Sequence, residues 1–233
     1  MIKLLVSVLV FVINTVYRHR PIPRFYVLET VARVPYFAYL SVLHLYETMG
    51  LWRRKDWLKV HFAESWNELH HLLIMENLGG NTHWIDRFLA QHVALIYYWI
   101  VVTLYLIYPS SAYNFMELVE GHAYNTYDKF LKEHELELKA APAPEVAIKY
   151  YRDGDLYMFD EFQTTSTLEL RRPKIENLYD VFVAIRDDEM EHVKTMVACQ
   201  APDAPRSFKS PHSTEVEILL PSEVVEEAAG LVH

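Results

Sequence analysis

The stretch W-N-E-L-H-H-L-L-I-M, residues 66–75, places one carboxylate and two imidazoles among apolar neighbours on a helical pattern. Glu68 and His71 are three positions apart and therefore share a helix face, whereas His70 points elsewhere. A second stretch, R-D-D-E-M-E-H-V-K-T-M (186–196), repeats the pairing with Glu189 and His192. A helix reading of both stretches sets the fold class, and the rest of the chain is read outward from them.

The 233 residues are enough for one domain with a full core, and apolar residues make up 52% of them. Glycine is scarce, at 6, and tyrosine abundant, at 16, a composition of long helices with few tight turns. The formal charge of -9 argues against a nucleic-acid partner. Part of that charge sits in T-E-V-E-I-L-L-P-S-E-V-V-E-E (214–227). A single cysteine, Cys199, excludes an intrachain disulfide and any cysteine-built metal or redox motif. Metal ligands would have to be His, Glu or Asp.

The pattern predicts helices over 2–17, 25–49, 55–77, 83–107, 111–138 and 174–199. R-P-I-P (20–23) reads as a break, Gly50 and L-G-G (78–80) as stops, A-A-P-A-P-E as a Pro-rich interruption and 150–173 as irregular. Residues 1–200 form the predicted helical domain, and 201–233 a disordered acidic tail. Two apolar runs, L-L-V-S-V-L-V-F-V-I (4–13) and V-A-L-I-Y-Y-W-I-V-V-T-L-Y-L-I-Y (93–108), suggest helices lying on one leaflet. The first is too short to span, and no small-residue cleavage site follows it. Arg18, Arg20, Arg24, Arg53, Arg54 and Lys55 lie near apolar stretches and could meet anionic headgroups.

Two further carboxylates complete a pattern. Glu29 in F-Y-V-L-E-T-V-A-R-V-P and Glu120 in M-E-L-V-E-G-H-A-Y-N-T-Y both fall on the apolar side of a long helix. A buried carboxylate requires a partner, and a metal cation is one. Four helices thus carry Glu29, Glu68/His71, Glu120 and Glu189/His192. That is the plan of a ferritin-like four-helix bundle with a di-metal carboxylate site, here with two extra apolar helices. The oxygen-rich donor set suits iron or manganese better than copper. Spacing alone leaves open whether His71 and His192 are direct ligands. Asn67 and Asp188 each precede a ligand-type Glu and could orient the histidine of the opposite helix.

R-F-Y-V-L-E-T-V-A-R-V-P-Y-F-A-Y-L-S-V-L-H-L-Y-E, H-F-A-E-S-W-N-E-L-H-H-L-L-I-M-E-N-L-G-G-N, V-E-G-H-A-Y-N-T-Y-D-K-F and R-R-P-K-I-E-N-L-Y-D-V-F-V-A-I-R-D-D-E-M-E-H-V-K-T-M together resemble the alternative oxidases over roughly residues 10–200. They are closest to the plastid terminal oxidase branch. D-L-Y-M-F-D-E-F-Q-T (155–164) is similar to a segment of that branch, and N-E-L-H-H-L and V-E-G-H-A stand where the mitochondrial branch has N-E-R-M-H-L and L-E-E-E-A. The resemblance implies a non-haem di-iron quinol oxidase that reduces dioxygen to water with four electrons from two plastoquinols, without proton pumping. It implies two iron ions, no haem and no copper, held by Glu29, Glu68, His71, Glu120, Glu189 and His192. It makes Tyr127 a catalytic tyrosine beside the metals, and Arg24, Leu28, His122 and Thr126 the quinol pocket. It further implies a homodimer on the thylakoid membrane of a plastid or cyanobacterium. A ubiquinol-using oxidase, a membrane di-iron hydroxylase, an iron oxidase or store, and a metal-free membrane-surface bundle are the competing readings of the residues.

Overall fold

The computed structural model describes residues 2–51, 55–152, 173–201 and 204, and among them the structure is helical with no strand. The helices are α1 (Ile2–Val16), α2 (Pro21–Thr48), α3 (Lys55–Asn77), α4 (Trp84–Ile107), α5 (Pro109–Ala140), the short α6 (Glu145–Ala147) and α7 (Leu178–Cys199). D-L-Y-M-F-D-E-F-Q-T, Arg53, Arg54 and nearly all of the expected tail lie outside the described residues.

Helix ends follow local chemistry. Gly50 and Gly79 take positive φ, 69° and 84°. In each case the next amide bonds back into the helix: Leu51 N–H to Tyr46 O and Gly80 N–H to Met75 O, closing Schellman turns at the two expected stops. The expected break between the first two helices is present but lies at 17–20, and 21–23 are already helical. Pro21 and Pro23 fall in the first turn of α2, where amides have no intrahelical acceptor and a proline costs nothing. For the same reason α5 begins at Pro109 rather than at 111. The last helix starts at 178, four residues later than predicted. There the Asn177 side chain accepts from Asp180 N–H and Asp180 returns a bond to the Asn177 amide, a capping box. Residues 148–152, expected to be irregular from 150, form a π-helical turn on the end of α6.

Helices α2, α3, α5 and α7 surround the site. Helix α2 packs along α3 and α4, and α5 packs along α7. One core cluster joins Phe25, Val60, Tyr127, Leu131, Val181 and Phe182. A second, rich in aromatics, joins Tyr36, Tyr39, Trp57, Tyr105 and Tyr113. Helix α4 covers this second cluster with one side only: its most apolar window has hydropathy 1.6 and is 17% buried. Trp99 and Ile100 on α4, like Phe11 and Val16 on α1, are exposed. Helix α4 is long and apolar enough to cross a membrane by length and composition. Asp86, 2% exposed, ties it to the α1–α2 junction by accepting from Arg20 and from the Tyr17 hydroxyl.

The end of α3 meets the start of α2 at Gly80. A Cβ there would lie 2.6 Å from Tyr26 Cβ and 2.8 Å from Met75 O. Neither atom is the far end of a flexible side chain, so α2 must shift. Gly80→Ala is expected to destabilise the protein by about 1–3 kcal/mol, read as a lowered denaturation midpoint.

Candidate metal centre

Glu29 comes from α2, Glu68 and His71 from α3, Glu120 from α5, and Glu189 and His192 from α7. All six are at most 1% exposed. Their donor atoms form two groups. Glu29, Glu68, His71 and Glu189 offer atoms within 4.8 Å of one another, and so do Glu68, Glu120, Glu189 and His192. Glu68 and Glu189 belong to both, the arrangement that two carboxylates bridging a pair of metal ions would produce. Both histidines turn Nδ1 inward: His71 Nδ1 is 3.3 Å from Glu189 Oε1, and His192 Nδ1 is 3.0 Å from Glu68 Oε1.

The residues fit a metal pair on their hydrogen bonding. Glu29 Oε2, both oxygens of Glu68 and of Glu189, Glu120 Oε2 and His71 Nδ1 are buried and make no hydrogen bond within the protein. Orphaned polar atoms of this kind are rare in a folded interior, and here they converge on one centre. Oxygen and imidazole nitrogen are donors suited to iron or manganese.

The atoms that do bond hold the cage from outside. Asp188 Oδ2 accepts from His71 Nε2 at 3.2 Å, Asn67 Nδ2 at 2.9 Å and the Tyr151 hydroxyl at 2.8 Å. Asp188 therefore orients the histidine of the opposite helix as its position suggests. Asn67 does so only indirectly: its Nδ2 donates to Asp188 and to the Tyr150 hydroxyl at 2.8 Å, both on the His71 side, rather than to His192. Tyr150 and Tyr151 sit on the π-helical turn and had no signal in the sequence. His70, buried, donates from Nδ1 to Trp66 O and stacks on Tyr150 at 4.0 Å, away from the cage. Tyr36 donates to Glu120 Oε1 at 2.6 Å, and Tyr127, stacked on Phe25 at 4.3 Å, donates to Glu29 Oε1.

Charge crowding shapes the proton affinities. Burial and then mutual repulsion among the carboxylates hold Glu68 and Glu189 well above the usual carboxylate range. Burial raises Glu120 to about 7. For His71 burial acts downward, but the bond to Asp188 and the neighbouring carboxylates of Glu29 and Glu68 prevail and lift it to about 10. Burial, joined by the nearby His71, drops His192 to about 3.

Beside the cage, α1, α2 and α5 enclose a groove of about 890 Å³ lined by Tyr17, Arg18, His19, Arg24, His122, Thr126 and Lys129 among others. Arg24 Nη2 donates to Thr126 Oγ1 at 3.2 Å, and Thr126 Oγ1 lies 3.3 Å from His122 Nε2. Leu28, expected in this pocket, packs partly buried against the core cluster and does not line the groove. A second buried acid–base pair went unread in the sequence: His61 Nδ1 is 2.8 Å from Glu64 Oε2, with both residues fully buried. Its signal was available, since Glu64 lies four residues before Glu68 on the same face of α3.

In the metal-free protein, His71 has a folded pKa of about 10 against an ordinary 6.5, and the three carboxyls are likewise raised. Below about 6.5 His61 and His192, each lowered to about 3, oppose these groups, but from there to about 10 the folded state binds more protons than the unfolded state and stability falls as pH rises. Urea midpoints of metal-free protein should drop steadily across that range, and metal loading, which requires deprotonated ligands, should reverse the trend. Asp188→Asn removes the acceptor that fixes His71 and is expected to weaken metal binding by about 10–100-fold in a cobalt or iron titration.

The alternative oxidase family model matches residues 3–201 of the chain. The chain is similar to ubiquinol oxidase 4, chloroplastic/chromoplastic, of Arabidopsis thaliana, with 62% identity over 221 residues, 95% of this chain and 61% of that protein. It is also similar to the mitochondrial ubiquinol oxidase of Mangifera indica, 30% identical over 166 residues, 71% of this chain and 46% of that protein. The mitochondrial ubiquinol oxidase 2 of Glycine max is likewise 30% identical, over 71% of this chain and 44% of that protein. The chain thus spans between four- and seven-tenths of the length of these relatives.

Proposed function

The chain belongs to the alternative oxidase family, and on that premise we propose that it is a plastoquinol:oxygen oxidoreductase built on two iron ions. The observation that carries the proposal is the pair of donor groups sharing Glu68 and Glu189, set beside a groove that presents Arg24, Thr126 and His122. When bound, the iron pair supplies the redox couple that takes electrons from quinol and passes them to dioxygen.

The chain's own residues supply the rest. Glu29, Glu68, His71, Glu120, Glu189 and His192 hold the metals, and their four carboxylates offset the charge of two divalent ions. Arg24 donates to a quinone oxygen from the groove. His122, kept below its ordinary pKa by burial and by Arg24, is neutral and accepts a proton as quinol is oxidised. The Tyr127 hydroxyl, held on Glu29, stands ready to give an electron and a proton at the cage. Two quinols deliver four electrons and four protons, which convert one dioxygen to two waters. Helices α1 and α4 rest their exposed apolar residues on one leaflet, so no transmembrane proton path is coupled to the reaction. Plastoquinol is favoured over ubiquinol by the 62% identity to a chloroplastic relative, and with it a thylakoid location. A homodimer completes the reading.

Purified, iron-loaded protein in detergent, given a short-chain plastoquinol, should consume oxygen in the presence of cyanide at about two irons per chain. Glu120→Ala should abolish that uptake; wild-type turnover in this variant with iron retained would refute the ligand assignment.

A further inference from the structure

The aromatic cluster behind Glu120 is not needed to bind metal or quinol, yet it is continuous with the cage. Tyr36 donates to Glu120 Oε1 at 2.6 Å. The Tyr36 ring lies 6.3 Å from Tyr39, and Tyr39 lies 5.0 Å from Tyr113. All three rings are at most 1% exposed. Tyr39 donates to a backbone carbonyl, Ala112 O, at 3.1 Å. Tyr113 is different. Its hydroxyl lies 2.8 Å from His61 Nε2 and 2.7 Å from the Tyr105 hydroxyl.

The tautomer of His61 follows from its other contact. Nδ1 is 2.8 Å from Glu64 Oε2, and with Glu64 in its ionised form Nδ1 carries the proton and donates to the carboxylate. Nε2 is then the acceptor, and Tyr113 donates to it while accepting from Tyr105. Burial drops His61 to about 3, in keeping with a neutral imidazole, and holds Glu64 well above the usual carboxylate range. A phenol that donates to a neutral imidazole can lose an electron and a proton together, which avoids a phenol cation in a dry interior. Tyr36 and Tyr127 donate instead to carboxylates of the cage itself.

We propose that Tyr113 and His61 form a redox-active pair that discharges oxidising equivalents stranded at the metal cage when quinol is lacking. The proposal rests on the quinol oxidase reading above, because the oxidant is the dioxygen-derived oxidising equivalent of the iron pair. One electron leaves Tyr113 and passes through Tyr39 and Tyr36 to the cage. The Tyr113 O–H bond breaks and its proton crosses to His61 Nε2. The products are a neutral tyrosyl radical and an imidazolium held by Glu64, and the oxidised cage is reduced by one electron. The next electron from quinol, with return of the proton from His61, restores Tyr113. The pair thereby protects the ligands from oxidation during turnover without substrate.

The test is electron paramagnetic resonance of iron-loaded protein frozen after exposure to oxygen without quinol. Wild type should show a neutral tyrosyl radical with a coupling to an exchangeable deuteron in heavy water, the mark of the hydrogen bond to His61. Tyr113→Phe should lose that signal and lose activity faster on exposure to oxygen alone, while keeping its iron content and its initial quinol-supported rate. His61→Asn, which keeps the phenol and removes the base, should lose the signal as well. An unchanged signal in Tyr113→Phe, a radical with no exchangeable coupling, or no radical in wild type that consumes oxygen with quinol would overturn the proposal. Absence of quinol-dependent oxygen uptake in iron-loaded wild type would instead overturn the functional reading beneath it.

Discussion

Four carboxylates and two imidazoles are folded into a space from which water is excluded, and without a cation at its centre that arrangement is strongly unfavourable. Isolated charges in such an interior cost several kcal/mol each, and mutual repulsion adds to the cost. The consequence is visible in the metal-free electrostatics, where Glu68, Glu120 and Glu189 are all driven toward the neutral form and His71 toward the charged one. A pair of divalent ions resolves the conflict at once. Fold and metal binding are therefore linked: α2, α3, α5 and α7 meet along faces whose carboxylates a metal pair would satisfy.

The outer layer shows how that demand propagates. Asp188 collects bonds from His71, Asn67 and Tyr151, so a single carboxylate links α3, α7 and the turn after α6. The π-helical geometry at 148–152 places consecutive tyrosines, Tyr150 and Tyr151, against Asn67 and Asp188. π-Turns in this role are common near functional sites, because the extra residue redirects side chains that an α-helix would turn away. The two halves of the cage are not equivalent. The His71 half is backed by a carboxylate, whereas Tyr36 and the His61–Glu64 pair lie behind Glu120. That asymmetry explains why the two histidines move in opposite directions in proton affinity despite equal burial.

The ligand set was legible because metal geometry and helix geometry share a spacing: Glu and His three apart necessarily face the same way. Gly50 and Gly79 were legible as stops because only their positive φ closes those turns. The prolines at 21 and 23 misled, since in sequence a helix-breaking proline and a helix-starting one look alike; only the position of the first turn separates them. Leu28 and Arg24 stand four apart on α2, yet Leu28 packs partly buried against the core while Arg24 turns to the groove. Tyr150 and Tyr151 were not legible at all, because nothing local records that a turn 80 residues after Asn67 comes back to meet it. His61 and Glu64 were passed over for another reason. Their pairing reverses the order of the ligand motif, and their partner Tyr113 lies 52 residues away.

The groove and the apolar surfaces of α1 and α4 belong to one physical problem. On the quinol oxidase reading, a long-tailed quinol resides in lipid while its headgroup releases protons as well as electrons. The groove opens between α1, α2 and α5, with Phe11 of α1 on its wall and Phe11 itself exposed, so its rim continues the apolar surface of that helix. Its polar lining runs from exposed Arg18, Asn125 and Lys129 at the rim to the more buried Arg24, His122 and Thr126. On the quinol oxidase reading, a headgroup entering from lipid would pass the exposed polar rim before it reached Arg24 and Thr126, and Thr126 is one residue before Tyr127, whose hydroxyl rests on Glu29. A groove of this form would let a lipid-soluble donor reach the cage from the membrane surface through an opening that is apolar on the α1 side and polar on the α5 side.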